Sequence, residues 1–478
     1  MALVSKTFSD IITFSRTSGA TWFNAAGNLV GVDFSVTSVT IGTGSKTFTL
    51  DATAGVNRSW ATGDSVLISD QSNSANNMTG TVTSYTASTQ VLVVNVTSTG
   101  GSGTIASWRV SSLMPRFDYN PSTLAAQGLL IEEARTNLLL QSQDFATTWA
   151  ASGTSPAVVT ANTTTSLDGT VNADTVSGTG ANSDRVQQTV TVAASTTYVI
   201  SFFVKNSTSV QSRFHVSNPN SGTTNSETYI TWSGSAITGF TNTGTTVGVA
   251  VAYPNNWWRV YFAFTTNASD AGTATVRFYP NSTGADATFK AVFLWGAQLE
   301  AGAFPTSYIP TTTATVTRSE DRASINTMSP WYNASASTIY AEYFRPLPTP
   351  AGTFPRAVDF VSTATSDKLS INQLDNRPTV SSQNLYPSGL SWPFTSVAAD
   401  ANNVIKHAIA ATVGSGRYAV NGTLGGSDYA IASIPTFDQV VIGSGKGFLF
   451  NSTLNGWIRR ITYYPRRLSN AELIAITA

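Results

Sequence analysis

The chain contains no cysteine among its 478 residues, which excludes disulfide frameworks and cysteine-ligated metal sites. Histidine is nearly as scarce: His215 and His407 are the only two, too few for a multi-histidine metal site within one chain. Charge is thin as well. Asp, Glu, Lys and Arg together make 11% of the residues, against about 25% in ordinary soluble proteins, and 26 basic residues balance 26 acidic ones. With no basic run to neutralise phosphates, a nucleic-acid binder is disfavoured. No apolar run approaches the ~18 residues of a membrane span, so no membrane insertion is expected. The start, Met1 to Thr7, has no positive patch followed by an apolar core, so no signal peptide is readable. The expected origin is therefore a cytoplasm, with any exit by lysis.

Aromatic residues, by contrast, are plentiful: 24 Phe, 16 Tyr and 11 Trp within a hydrophobic fraction of 41%. That suffices for several buried cores, and a chain of this length calls for about three domains. Ser, Thr, Asn and Gly take the place of the missing charges. β-Branched Thr and Val fit a pleated surface, while Asn and Gly tolerate turn dihedrals, so the composition predicts an all-β fold. The Glu, Lys, Arg and Leu of ordinary helices are sparse.

Periodicity divides the chain. Between 38 and 112, six short runs alternate apolar and polar residues, among them Lys46 to Leu50, Ser65 to Ile68, Gln90 to Val96 and Ala106 to Val110, with Gly, Asn or Asp between neighbours. They predict a small antiparallel barrel or sandwich over 34–112. Over 138–318, runs such as Asp184 to Val190, Thr197 to Lys205, Trp257 to Phe264 and Ala291 to Glu300 predict a two-sheet jelly roll. A polar linker, 311–322, precedes a third set of strand-like runs over 325–478, including Ser337 to Phe344, His407 to Val413 and the closing stretch Phe450 to Tyr464. At its end Ser469, with Glu472 three residues later, forms the pattern of a capping box before a short helix. The expected architecture is a small inserted β-barrel module followed by two tandem β-sandwich (jelly-roll) domains.

The stretches around the small module are the most specific in the chain. Before it come Ile12-Thr13-Phe14-Ser15-Arg16-Thr17-Ser18-Gly19-Ala20-Thr21-Trp22 and Asn24 to Val30; after it come Pro115-Arg116-Phe117-Asp118-Tyr119-Asn120-Pro121 and Gly128-Leu129-Leu130-Ile131-Glu132-Glu133-Ala134-Arg135-Thr136-Asn137. Together they resemble one signature, split in two, of bacteriophage virion proteins of the head-spike, fibre and minor tail kinds. This resemblance implies an attachment region at 1–33 and 113–137, with 34–112 inserted into it; such an insert needs its two ends close together. The stretch 138–318, with its closing phrase Trp295 to Glu300 and Phe304 to Thr311, resembles a carbohydrate-binding-module jelly roll. The stretch 325–478 resembles a laminin-G, concanavalin-like sandwich. These likenesses imply a subunit on the virion surface, a homo-oligomer and most simply a trimer, which contacts other virion proteins and bacterial surface polysaccharide. They imply no cofactor, although the laminin-G likeness admits a calcium ion without assigning its ligands.

Glycan binding needs an aromatic face to stack on a sugar ring and polar side chains to pair with its hydroxyls. Trp257 and Trp258 are the first candidates. Adjacent strand residues face opposite ways, so at most one of them lies in a given core. Trp392 and Tyr386, in the loop-like stretch 386–394, are the second pair, because loops at a sandwich rim carry binding more often than strands do. Trp295 and Trp457 read as core. Glu132, Glu133 and Arg135, like Arg318, Glu320, Asp321 and Arg322, read as structural ion pairs. A polysaccharide-cleaving enzyme is disfavoured: there are only seven Glu, no repeat of the β-helix kind, no Gly-x-Ser-x-Gly elbow and no partner for either histidine. The expected function is non-catalytic glycan binding by the C-terminal sandwiches; the alternatives are a structural decoration or fibre-base adaptor, and a capsule-degrading enzyme.

Overall fold

Strand alternation turns directly into layers. In Arg185–Val192, Val186, Gln188, Val190 and Val192 point inward while Arg185, Gln187, Thr189 and Thr191 point out. The structure, a computed structural model, describes residues 11–51, 60–153, 156–178, 183–217, 226–243, 248–269, 272–282, 289–345, 353–365, 367–372, 379–380, 385–386, 397–398, 404–431, 433–448 and 452–478. The fold is all-β, every ladder is antiparallel, and the helix Asn470–Thr477 is the one long helix among the described residues. That helix opens with the capping box read from the sequence, formed by Ser469 and Glu472, and buries Leu473 against the outer side of the last sheet.

Three cores result. In the first, the strands Val32–Ser35, Trp108–Ser112, Ser65–Asp70, Asn77–Thr86, Val91–Gly100 and Gly44–Thr49 form one sheet, and a bridge between Ser35 and Leu50 closes it into a barrel. Its core is built around Trp108 and Phe48, whose rings meet edge to face at 6.0 Å. The second core lies between two six-stranded sheets drawn from residues 150–301, with Phe202, Phe214 and Phe278 in mutual contact. The third lies between a six-stranded and a seven-stranded sheet completed by the C-terminal third of the chain.

Connectivity departs from a simple tandem. Strand Thr13–Ser15 pairs with Arg322–Ile325, and Ala126–Ile131 pairs with Gly456–Tyr464, so both flanks of the barrel are strands of the C-terminal sandwich. The flanks therefore do not stand as a unit of their own. The chain leaves this sandwich for the barrel through adjacent strands, with Val32 opposite Ser111. It leaves a second time for the jelly roll through another adjacent pair, with Arg135 opposite Arg318. Barrel and jelly roll are thus both insertions into one sandwich. A strand that enters beside the strand that leaves gives each insert the close ends it requires.

Each crossing contributes a charge to one buried junction. Arg16 lies on the way out to the barrel and Arg116 on the way back; Glu132 leads to the jelly roll, and Arg318 and Asp321 return from it. Asp321 accepts from Arg16 Nη1 at 2.7 Å and from Arg116 Nη2, Glu132 accepts from Arg116 Nη1 at 2.7 Å, and the Arg16, Arg116, Arg318 and Asp321 side chains are fully buried. Glu133 pairs with Arg135 beside them and accepts from Asn455 Nδ2 at 3.0 Å. The ion-pair reading of these residues is the one the geometry supports. Burial by itself would raise the Glu132 carboxyl, but Arg318, Arg116 and the Ser307 hydroxyl outweigh it and hold Glu132 at about 2. Arg116 and Arg16 likewise outweigh burial at Asp321 and keep its carboxyl below the ordinary range. Burial pushes Asp118 up to about 6, although its two oxygens accept from Phe23 N and Trp457 Nε1, both at 2.7 Å, and pushes Asp174 up to about 6.

These shifts set opposite pH dependences. Glu132 and Asp321 favour the fold above the ordinary carboxylate range, and that contribution is lost as pH falls below it, for Glu132 as pH approaches about 2. Asp118 and Asp174 favour the fold below that range, and their contribution is lost as pH rises through 6. Thermal unfolding followed across pH is expected to show its highest Tm near the ordinary carboxylate range, about pH 4, falling toward pH 2 and falling again between about 4 and 6. A Tm that rises steadily from pH 5 to 8 would contradict the assignment.

Candidate functional site

The N-terminal hairpin explains where the site lies. Asn24 starts its turn, its Oδ1 accepting from Ala26 N and Asn28 N at 3.0 and 3.1 Å, and strands Trp22–Phe23 and Leu29–Val30 pair across it. The hairpin lies on the outer face of the jelly roll, where Phe23 and Leu29 pack with Phe203, Trp257, Trp295 and Tyr308 into a separate apolar cluster. This cover accounts for strand Thr197–Asn206, in which residues 198–204 are buried on both faces.

It also decides the predicted sugar platform. Trp257 and Trp258 do face opposite ways, but the outward-facing Trp257 lies beneath the hairpin, 1% exposed, with its Nε1 donating to Thr165 O at 3.2 Å. Trp257 is therefore a core residue and offers no stacking face. Trp258 packs half-buried on the inner core and donates to Ser235 O at 2.9 Å. Tyr386 lies in the short strand Leu385–Tyr386, its backbone opposite Lys368, and Trp392 lies outside the described residues. Trp295 is core as expected, whereas Trp457 is half-buried, stacked on Phe344 and donating to Asp118.

A cleft opens where the barrel, the hairpin and the jelly roll meet. Its two lobes, of about 190 and 260 Å³, share Leu29, Val30, Val32, Asp33, Asp168 and Thr170. Trp22 and Trp60 wall the first lobe. The Trp22 ring lies against Gly31, whose φ of +105° suits glycine and where a Cβ would strike both the ring and the Ala20 carbonyl oxygen. Trp60 is anchored by its Nε1, which donates to Asp33 Oδ2 at 2.6 Å. On the jelly-roll side Asp168 organises a turn: its Oδ1 accepts from Ser166 Oγ at 2.7 Å and Thr170 N at 2.9 Å, and its Oδ2 from Asn172 Nδ2 at 2.9 Å.

Three residues that line the second lobe each carry a buried polar atom with no hydrogen-bond partner: Trp295 at its Nε1, Thr170 at its hydroxyl and Asn172 at its Oδ1. Trp295 is 0% and Thr170 4% exposed. An unmade hydrogen bond at a buried group costs about 1–3 kcal/mol, and these three atoms are closed off from the space of the cleft. The cleft is lined by two indoles, Trp22 and Trp60, and by the carboxylates of Asp33 and Asp168, residue types that suit a polyhydroxylated ring.

Neither Trp257 nor Trp258 lines this cleft. Trp22 stood within a stretch read as signature, and nothing in the local pattern around Trp60 announces that it meets Asp33 across the barrel. Among the described residues no group of three or more His, Asp or Glu could hold a metal ion, so the calcium admitted by the laminin-G likeness has no ligand set there. His407 is fully buried, and burial lowers its ring to about 3.

No protein-family model matches the chain, and no curated protein sequence does. Among solved structures it is similar to domains LG4-5 of the mouse laminin α1 chain, at 9% identity and a TM-score of 0.22 over 71% of this chain and 92% of that one. It is also similar to the tandem CBM22 domains of Paenibacillus barcinonensis Xyn10C, at 9% identity and a TM-score of 0.26 over 70% and 99%. A sialidase of Trypanosoma rangeli, in complex with 2,3-difluorosialic acid, aligns over 92% and 84% at 10% identity and a TM-score of 0.27. Likenesses this distant carry no weight on what the chain binds or does.

Proposed function

We propose that the chain is a glycan-binding protein whose site is the cleft between barrel and jelly roll, and that it acts as a fibre or spike subunit on a bacteriophage virion. The observation that carries the binding reading is the cleft itself, with Trp22 and Trp60 in its wall beside Asp33 and Asp168. The virion part rests on the sequence resemblance at 12–30 and 113–137. On that reading the subunit is mounted through its N-terminal region, assembles as a trimer, and presents several copies of a weak site, so that avidity supplies useful adhesion. Binding without cleavage is part of the proposal. The rival capsule-degrading reading draws on Asp33 and Asp168, which both border the cleft.

Displayed multivalently, the full chain is expected to bind members of a bacterial surface-glycan array. Trp22→Ala and Trp60→Ala are each expected to weaken binding by about 2 kcal/mol, roughly thirtyfold in Kd, as truncation of a central aromatic contact usually does. No binding anywhere on the array would end the reading. New reducing ends after incubation with a bound polysaccharide would replace it with the enzymatic one.

A further inference from the structure

We infer that the outer face of one jelly-roll sheet is a separate binding site, away from the cleft, for a saccharide that carries an oxyanion, and that Arg185, Arg213 and Arg277 hold the anion. The sheet runs, in spatial order, through Ala150–Ser152, Arg185–Val192, Gly272–Tyr279, Gln211–Ser217, Ser226–Ser233 and Ala236–Thr243. Phe214, Val276 and Phe278 point from it into the core, so strand alternation turns their neighbours outward. The register then sets those neighbours in rows. Gln187, Arg277, His215 and Glu227 stand opposite one another in one row. Tyr279, Arg213 and Tyr229 stand in the next, with Arg185 against the Tyr279 ring.

Tyr279 and His215 form the floor, and the three half-buried arginines stand around them. The Arg185 and Arg213 guanidinium groups lie 5.8 and 3.7 Å from the Tyr279 ring centre, and Arg277 Nη1 lies 3.4 Å from His215 Nδ1. Stacking on a fixed phenol holds a guanidinium in place and leaves its N–H edge for a ligand. Arg213 also reaches Glu227 Oε2, at 3.4 Å a long ion pair. Arg185 donates instead to Gln187 Oε1 at 2.9 Å and Ser183 O at 3.0 Å, and among the described residues neither Arg185 nor Arg277 meets a carboxylate. The described rows therefore set three positive charges against one negative, on a chain whose net charge is zero.

Size decides between occupants. The rows from Arg185 to Glu227 cross four strands spaced about 4.8 Å apart and lie about 7 Å from each other, so the charged area is on the order of 100 Å². A stable protein interface takes about 800 Å² from each partner. A patch this small suits a sugar carboxylate or phosphate, whose oxygens match the guanidinium fork. The half-open Tyr229 ring and the Gln187 amide flank it and supply an apolar face and a hydroxyl partner for the sugar itself.

The test is equilibrium binding of three probes by the full-length chain at low and high salt: oligogalacturonate, its methyl ester, which has the same rings without the charge, and glucose 6-phosphate. Oligogalacturonate or glucose 6-phosphate is expected to bind, and which of them binds more tightly tells a carboxylate site from a phosphate site. The ester is expected to bind at least roughly tenfold more weakly than the acid, and added salt to weaken the anions. Arg185→Gln and Arg277→Gln are each expected to weaken the bound anion roughly tenfold at unchanged Tm, as loss of one charge-assisted hydrogen bond does. Arg460→Gln removes an exposed charge from the C-terminal sandwich and should leave the affinity as it was. Ester and acid binding alike, neither anion binding, or equal losses from all three variants would overturn the inference. None of these outcomes bears on the cleft, which is read from Trp22→Ala and Trp60→Ala, so the two readings fail separately.

Discussion

Asp321→Ala is expected to destabilise the fold by about 3–5 kcal/mol, a large share of the net stability of an ordinary domain. The side chain accepts from Arg16 and Arg116 and, at 3.0 Å, from the Glu132 backbone amide. Removing it leaves two fully buried guanidinium groups without their main counter-charge and a buried amide without its acceptor. The urea midpoint should fall at nearly constant slope. Arg116→Ala should cost less in the Asp321→Ala background than alone, because the first change has already broken the pair; a coupling of about 0.5–3 kcal/mol is expected. Strictly additive costs, or a midpoint within experimental scatter of the parent, would show that the junction does not hold the three cores together.

Trp108→Ala is expected to cost a further class of stability, about 3–5 kcal/mol, this time from a cavity rather than a stranded charge. The indole is fully buried, meets Phe48 edge to face, and donates to Thr37 O at 3.0 Å. The loss should be local in origin, since the barrel has its own core. It should also reach function: Trp60 and Asp33 stand on the barrel side of the cleft, so loosening the barrel removes one wall. Glycan binding should therefore fail together with barrel order, while the jelly-roll and C-terminal cores keep their near-ultraviolet aromatic signal. Intact binding with a collapsed barrel would remove Trp60 and Asp33 from the site.

Much of the layering was legible from spacing. The alternation over 184–190 predicted a strand where Arg185–Val192 forms one, and Ser469 with Glu472 predicted the final helix cap. Alternation says which side chains share a face; it is silent on what covers that face. Trp257 shows the limit. Its opposition to Trp258 follows from strand geometry, yet its burial depends on a hairpin more than 200 residues earlier in the chain. The charged runs around Glu132 and Asp321 could be read as ion pairs, but their partners, Arg16 and Arg116, come from crossings that no local pattern connects.

By itself the sequence determined the chemistry of the parts: an all-β chain, a small module with its own core, side chains sorted to inner and outer faces, and no thiol or histidine cluster for redox or metal work. Only the tertiary structure decided the assembly, with two inserts leaving and rejoining one sandwich, their charges meeting at a junction, and Trp22, Trp60 and Trp295 brought to one cleft. The reason is the range of the forces involved. Backbone pairing and burial periodicity act between neighbours a few residues apart, whereas a buried ion pair or a cavity wall is settled by whichever distant surfaces exclude water from each other.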